Sequence, residues 1–529
     1  MYLFLVGPPG VGKSTVAPML ADALAADVLE VDAVIERRTR RSNKETIEEH
    51  GFEHFRDLET QLLAKLRPTP AWCVVDTGGG SPLRPANRAR MRELGLIVGL
   101  RGSARHVARG IAATLAKRPH QPFTPEERAQ HALNDPDRRA AYADTDVTFD
   151  VERATPEQVA QAILGWIAAT RGVRIDVGVE AGYPIVVRSG AIDHLGEYLA
   201  DRGWRGRVAL VTERNVRAGL GDRARAALEA AGLEVAFVNA PSGESAKSLR
   251  AVSSLWSAFA SAGIARDGGV VALGGGAIGD AAGFAASTYL RGVRVAQVPT
   301  TLLAMVDASI GGKTAIDIPA GKNLVGAFHQ PDAVVVDVGA LATLPRRERS
   351  SGLAEIVKTA FLVDRESVAH VERAIPRVLA GDTGASFSAI ALSAEVKASV
   401  VTADPTEQGL RALLNFGHTM GHAYETATGY SVRHGEAVAV GLVYACALAE
   451  VLGLAPAALR AEMERLLAKA ALPVRARLPR AAWALLQRDK KVRAGKVRWI
   501  LPRRIGRFSE VTDVRERDLR AAARILEGA

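Results

Sequence analysis

Gly7-Pro8-Pro9-Gly10-Val11-Gly12-Lys13-Ser14-Thr15 follows directly on the apolar run Tyr2–Val6. That run has the length and content of a buried strand, and the residues after it fit G-x-x-x-x-G-K-[ST] throughout. Gly7, Gly10 and Gly12 let backbone N–H groups converge on phosphates at the N-terminus of a following helix. Lys13 supplies a mobile cation, and Ser14, followed by Thr15, an oxygen for Mg2+. Strand, glycine loop and helix in this order predict a parallel α/β sheet that binds ATP with Mg2+.

Outward from this stretch, short β-like runs alternate with helically spaced segments. Trp72–Asp76 and Leu96–Leu100 read as strands, and the pattern runs to about Thr170. A new series of strand candidates begins at Arg174 and continues with Arg207–Val211, Gly269–Leu273, Arg294–Val298 and Ala333–Val338. Beyond about Leu341 the chain turns to long Ala/Leu/Arg/Glu-rich stretches that predict a helical domain. At roughly 150 residues per domain, 529 residues allow three or four. The breaks place them at 1–172, 173–340 and 341–529.

Hydrophobic residues at 48% and charged residues at 24% exclude a largely disordered chain. The charge balance, 68 − 58 = +10, suits anionic partners. Aromatics at 5%, with no basic–aromatic interleaving, argue against nucleic acid. Cys73 and Cys446 cannot make a disulfide framework, which points to a reducing compartment. The longest apolar run, Ala437–Ala449, is too short to cross a bilayer, and the start of the chain lacks a basic leader. The expectation is a cytoplasmic protein with no membrane partner.

Two further constellations carry chemistry. Gly274-Gly275-Gly276-Ala277-Ile278-Gly279-Asp280 follows a strand candidate and would bring backbone and a helix N-terminus to a pyrophosphate. Glu244, Lys247, Thr300 and Thr301 add polar groups at loop positions. Asn415-Phe416-Gly417-His418-Thr419-Met420-Gly421-His422 places two histidines one helical turn apart. His434 or an acidic residue could complete a metal site there.

The first part of the chain, over about 1–170, resembles shikimate kinase. Asp32 with Ile35-Glu36, Phe55-Arg56 with Glu59, Thr77-Gly78-Gly79-Gly80, Arg118-Pro119, and Arg138 with Tyr142 stand in that family's order. The resemblance implies that Asp32 accepts the hydrogen bond of the acceptor hydroxyl as base, and that Arg56 and Arg138 clamp the shikimate carboxylate. It further implies that Gly78, Gly79 and Gly80 admit the ring and that Arg118 neutralises the transferred phosphoryl group from a lid. Glu30 stands where the family usually carries Asp. A non-enzymatic alternative is a nucleotide-sensing module that regulates the rest of the chain.

The remainder, about 174–529, resembles 3-dehydroquinate synthase. Val306-Asp307 through Thr314, Gly321-Lys322-Asn323, Gly352-Leu353-Ala354-Glu355-Ile356-Val357-Lys358, the histidine motif, His434-Gly435-Glu436 and Asp489-Lys490-Lys491 carry the likeness. It implies a Rossmann-like NAD-binding domain and a mainly helical metal domain, with Zn2+ or Co2+ on Glu355, His418 and His434. His422 would face substrate. NAD+ would meet Asn215, Glu244, Lys247, Gly275, Gly276, Ala277, Asp280, Thr300, Thr301 and Lys322, with Asp280 by the nicotinamide. Arg291, Lys313, Asn323 and His422 would surround a departing phosphate. Lys358 and Arg411 would hold substrate hydroxyl and carboxylate groups, with Asp307, Lys397, Asn415 and Lys490 completing the wall. The implied substrates are shikimate and a heptulosonate 7-phosphate, and the implied assembly is a homodimer. An alternative for this part is a polyol dehydrogenase or another sugar-phosphate cyclase.

Overall fold

The structure, a computed structural model, describes residues 2–24, 26–67, 72–114, 123–167, 172–179, 181–492 and 497–528. The chain divides into two compact units, Met1–Thr170 and Arg171–Ala529.

In the first unit the short runs, most of them apolar or β-branched, become strands. They are β1 (Tyr2–Val6), β2 (Asp27–Glu30), β3 (Cys73–Asp76), β4 (Gly95–Arg101) and β5 (Val147–Asp150). They pair in the order β2-β3-β1-β4-β5, and every pairing is parallel. The central strand β1 is buried along its whole length, and Phe4, Val6, Ile35, Leu62 and Val75 share one core beneath the sheet. All strands point the same way, so the loops after β1, β2 and β3 open on one edge. Ligand chemistry belongs at that edge in such sheets.

The second unit holds β6 (Val173–Val177), β7 (Tyr183–Arg188), β8 (Arg207–Thr212), β9 (Glu234–Asn239), β10 (Gly269–Gly274), β11 (Val295–Pro299), β12 (Lys313–Ile318), β13 (Gly321–Phe328) and β14 (Ala333–Asp337). Seven of these form one sheet in the order β6-β7-β14-β11-β10-β8-β9, parallel except for β6. The chain leaves β8 toward β9 and β10 toward β11, on opposite sides. The gap between the C-terminal ends of β8 and β10 is therefore a topological switch point. β12 and β13 stand apart as an antiparallel hairpin, which the sequence pattern did not announce as strand.

From Arg346 onward the chain is mainly helical, as the composition predicts. One element is added: β15 (Trp499–Arg504) and β16 (Arg507–Val511) pair as a hairpin. Pro502 lies inside β15 and interrupts the β signal there. Among the described residues two helices, Thr383–Ala403 and His434–Val451, are long and apolar enough to cross a membrane by length and composition. Both are mostly buried against the rest of their unit, which explains their apolarity.

Candidate active sites

In the first unit the phosphate loop joins β1 to the helix Lys13–Leu24. Lys13 is 7% exposed, and its Nζ donates to the carbonyls of Gly7 (2.9 Å) and Pro8 (3.3 Å), so the ammonium lies across the mouth of the loop. The ends of β2 and β3 bring acids to this mouth. Burial pushes Asp76 at the end of β3 up to about 6, against the pull of Lys13 and a hydrogen bond with Ser14; the charges of Asp32 and Glu30 push the same way. Asp76 thus joins Ser14 and Lys13 where a nucleotide-bound Mg2+ would sit. The sequence showed it only as a strand end; the signal available was its place as the last residue of a buried strand beside the loop.

Beside this mouth the residues singled out for an acceptor converge. Gly78 has no room for a side chain: a Cβ there would lie 2.5 Å from Glu59 Oε1 and 2.8 Å from Asp32 Oδ1. A Cβ on Gly79 would meet Pro9 of the phosphate loop at 2.8 Å, and one on Gly80 would approach Arg56 Cζ at 3.9 Å. Arg138 donates to Tyr142 Oη (3.2 Å), and Tyr142 in turn donates to the carbonyl of Gly79 (2.7 Å). Arg56 and Arg138 therefore both lie near Tyr142, beside the same glycine turn as Asp32. Glu59 is 1% exposed and accepts from Ser81 Oγ at 2.5 Å. Burial and the neighbouring Asp32 outweigh that bond and raise its carboxyl to about 7. Arg118 lies outside the described residues.

In the second unit the residues expected at a dinucleotide gather at the switch point. Gly275 caps the helix Gly276–Thr288, which begins directly after β10. Ser242 Oγ lies 3.4 Å from Asn215 Oδ1, after β8. Thr300 donates its N–H to the carbonyl of Gly274 (2.9 Å), and Thr301 packs against Gly275. Ala277 and Asp280 lie on the first turns of the helix. Lys247 Nζ donates to Asp280 Oδ2 (2.6 Å) and to Asn323 Oδ1 (2.5 Å), and Lys322 Nζ pairs with Glu244 (2.8 Å). Burial raises Asp280 to about 6 despite Lys247.

The helix His418–Ala427 crosses His434–Val451 so closely that a Cβ on Gly441 would lie 1.9 Å from the carbonyl of Gly417. That approach sets the imidazoles of His418, His422 and His434 together, their ligand atoms all within 4.8 Å of one another. Glu355, on the helix Arg346–Val363 and 1% exposed, faces them: its Oε1 is 3.3 Å from His418 Nε2 and 3.6 Å from His434 Nε2. Four-coordinate bonds of about 2.0–2.2 Å would separate neighbouring donors by about 3.3–3.6 Å, which both distances from Glu355 to the histidines match. Neither carboxylate oxygen of Glu355 has an aligned hydrogen bond, although Lys358 Nζ pairs with Oε2 at 2.5 Å. Burial opposes the charge on Glu355, but Lys358 and His418 hold its carboxyl well below the usual range. Glu355, His418 and His434 together offer one carboxylate and two histidines, the donor set of a catalytic metal site, and His422 stands beside them.

Cations ring this centre. Lys358, 1% exposed, also donates to the carbonyl of Leu414 (2.8 Å). Lys397 donates to the carbonyl of Asp307 (2.6 Å) and pairs with its carboxylate. Burial would raise Asp307, but Lys397 draws it down to about 2. Arg411, 1% exposed, donates to the carbonyls of Gly311 (2.9 Å) and Pro405 (2.5 Å). Asn415 donates to Glu407 Oε1 (2.5 Å), whose other oxygen pairs with Lys313. Glu407 escaped the sequence reading, since neither a motif nor a spacing marks it. Arg291, Asn323 and Glu407 all adopt left-handed backbone, with φ of 64°, 56° and 60°. Among the described residues no hydrogen bond or ion pair ties Arg291 to the ring of cations. The side chain of Lys490 lies outside the described residues.

Comparison with known proteins follows the two units. The pattern for shikimate kinase matches residues 9–168. The patterns for the 3-dehydroquinate synthase N-terminal and C-terminal parts match residues 237–351 and 352–492. The 3-dehydroquinate synthase of Symbiobacterium thermophilum is 49% identical over 340 residues, covering 63% of this chain and 95% of that protein. That of Gloeobacter violaceus is 46% identical over 362 residues, covering 67% of this chain and all of the relative (100%). Among solved structures, 2-epi-5-epi-valiolone synthase from Streptomyces hygroscopicus, with NAD+ and Zn2+ bound, aligns with a TM-score of 0.62 at 30% identity, covering 66% of this chain and 98% of that one. A 2-deoxy-scyllo-inosose synthase complexed with carbaglucose-6-phosphate, NAD+ and Co2+ aligns with a TM-score of 0.58 at 25% identity, covering 67% of this chain and 99% of that one.

Proposed function

The chain belongs to the 3-dehydroquinate synthase family and carries a shikimate kinase domain ahead of that part, and we propose that it performs both reactions. The first is phosphorylation of shikimate to 3-phosphoshikimate by ATP. The second is conversion of 3-deoxy-D-arabino-heptulosonate 7-phosphate to 3-dehydroquinate and phosphate.

In the first unit Asp32 accepts the proton of the attacking hydroxyl. Arg56 and Arg138 grip the shikimate carboxylate from either side of Gly78–Gly80, as paired guanidiniums do for a planar anion. Lys13 and backbone N–H groups hold the β- and γ-phosphates, and Ser14 with Asp76 supplies oxygens to Mg2+. In-line placement is the main contribution, since the phosphoryl group needs little covalent help.

In the second unit Glu355, His418 and His434 hold the divalent ion, and Gly275, Gly276 and the polar groups at the switch point hold NAD+. When bound, these groups supply Lewis acidity at a substrate hydroxyl and a reversible hydride store. The chain's own side chains do the rest. Arg411 and Lys358 orient carboxylate and hydroxyl groups, and Lys313, Asn323, Arg291 and His422 neutralise the departing phosphate. The Asp307–Lys397 pair fixes the wall facing them.

The observation that carries this reading is the convergence of a buried Glu355 and three histidines from distant segments beside a ring of lysines and arginine. That donor set beside a dinucleotide switch point favours redox-assisted elimination from an anionic sugar phosphate. Both assays on one purified chain test it. We expect shikimate-dependent ADP formation, and phosphate release from the heptulosonate phosphate without net NADH. Accumulation of NADH would overturn the synthase half, and ADP formation indifferent to shikimate would overturn the kinase half.

A further inference from the structure

Glu425 occupies a place that the mechanism above does not use. It lies on His418–Ala427 three residues after His422, so positions 418, 422 and 425 form one stripe of the helix. It is 8% exposed, and a carboxylate so buried is costly unless both oxygens are paired. Both are. His434 Nδ1 lies 3.1 Å from Oε2, and Lys322 Nζ donates to Oε1 at 3.3 Å. Lys322 is itself anchored, 2.8 Å from Glu244 and 4.1 Å from the ring centre of Tyr430.

We propose that Glu425 is a positioning residue: by accepting from Nδ1–H of His434 it fixes that ring's tautomer and orientation, so that Nε2 presents its lone pair to the ion. The inference rests on the metal reading of Glu355, His418 and His434. An imidazole has two nitrogens, and whichever is engaged as a donor leaves the other as a ligand. His418 shows the same arrangement with a different partner: its Nδ1 lies 3.2 Å from the carbonyl of Phe416, and its Nε2 faces Glu355. Each ring is thus steered from behind, one by backbone and one by Glu425. A carboxylate is the stronger acceptor, and it raises the basicity of the ligand nitrogen as a carbonyl does less. Lys322 keeps the carboxylate from swinging away, which ties hairpin β12–β13 to the ligand set.

The test is chelator competition for Zn2+, with the absorption spectrum of the Co2+-loaded full chain as a second readout. Glu425→Ala should weaken affinity for the ion about 10–100-fold and shift the Co2+ bands. Glu425→Gln, whose amide oxygen can still accept from Nδ1–H, should fall between that variant and the unaltered chain. The far-ultraviolet circular dichroism and the denaturant midpoint of the second unit serve as the check that this unit is folded. Affinity and spectrum of Glu425→Ala within twofold of the unaltered chain would overturn the inference and leave the metal reading standing. If Glu425→Ala does not fold, Glu425→Gln takes its place, and affinity and spectrum identical to those of the unaltered chain would overturn the inference. An unaltered chain that takes up neither ion would overturn the metal reading and the inference with it.

Discussion

The two sites solve ligand recognition in opposite ways. In the first unit the loops after three neighbouring parallel strands bring backbone to the ligand, and glycines make the approach possible. Its main side chains, Lys13, Asp32, Arg56 and Asp76, fall within the first 76 positions. In the second unit the centre is a set of buried side chains from segments far apart in sequence. Lys322 and Glu425 are separated by 103 positions, Lys397 and Asp307 by 90. A site built from backbone tolerates loss of one side chain better than a site in which buried charges compensate one another.

The sharpest way to break this contrast is to disable each site alone. His418→Ala should abolish bound metal and lower synthase turnover by at least about 10³-fold, with kinase rate within twofold. Lys13→Ala should lower the kinase rate by roughly 10²–10³-fold and spare the synthase. Cross-loss in folded protein, by either assay, would show that the sites are not independent.

Next comes the interdependence of buried charge. Lys358 and Glu355 are each about 1% exposed, so Lys358→Ala leaves a buried carboxylate with only the histidines to compensate it. In chelator-treated protein this should cost about 3–5 kcal/mol, read as a lower denaturant midpoint for the second unit. An unchanged midpoint would mean that water reaches the site.

Glu59 offers the same comparison within the first unit. Folded, it keeps its proton up to about pH 7; unfolded, it loses it near the ordinary value of 4.5. Between these values the native unit binds more protons than the unfolded chain, so stability falls as pH rises. Glu59→Gln should remove its share of that slope, worth up to about 3 kcal/mol across the window, in urea melts at pH 5 and 7.5, leaving the share of Asp76 below about pH 6. A slope that persists unchanged between about pH 6 and 7.5 would assign the proton elsewhere. Smaller still, Asp76→Asn should reduce kinase kcat about tenfold and raise the Mg2+ requirement, seen by titrating Mg2+ at fixed ATP. Smallest, Glu30→Asp should alter kcat less than about threefold while shifting the Mg2+ to Mn2+ ratio, because only one methylene separates the two acids.

What could be read in advance follows the same division. The phosphate loop and strand β1 are local patterns, and β1 spans the residues the apolar run marks. The sheet class follows from alternation alone. The hairpin β12–β13 hid because its residues carry polar and glycine motifs instead of alternation. Glu355 and Lys358, three apart on a helix, look like a surface pair until packing shows them buried. Asp76 read as nothing more than the end of a strand. Glu407 and Glu425 could not be read at all: their partners, Lys313, Lys322 and His434, are assembled by tertiary packing, and a lone glutamate carries no spacing.

The left-handed backbone at Glu407 has a practical consequence. A glutamate held at φ 60° stores on the order of 1 kcal/mol that glycine would release. Glycine at 407 would relieve that strain, but its greater freedom in the unfolded chain takes back a similar amount. The anchor shared by Lys313 and Asn415 would be lost as well, so the strain persists because nothing is gained by releasing it.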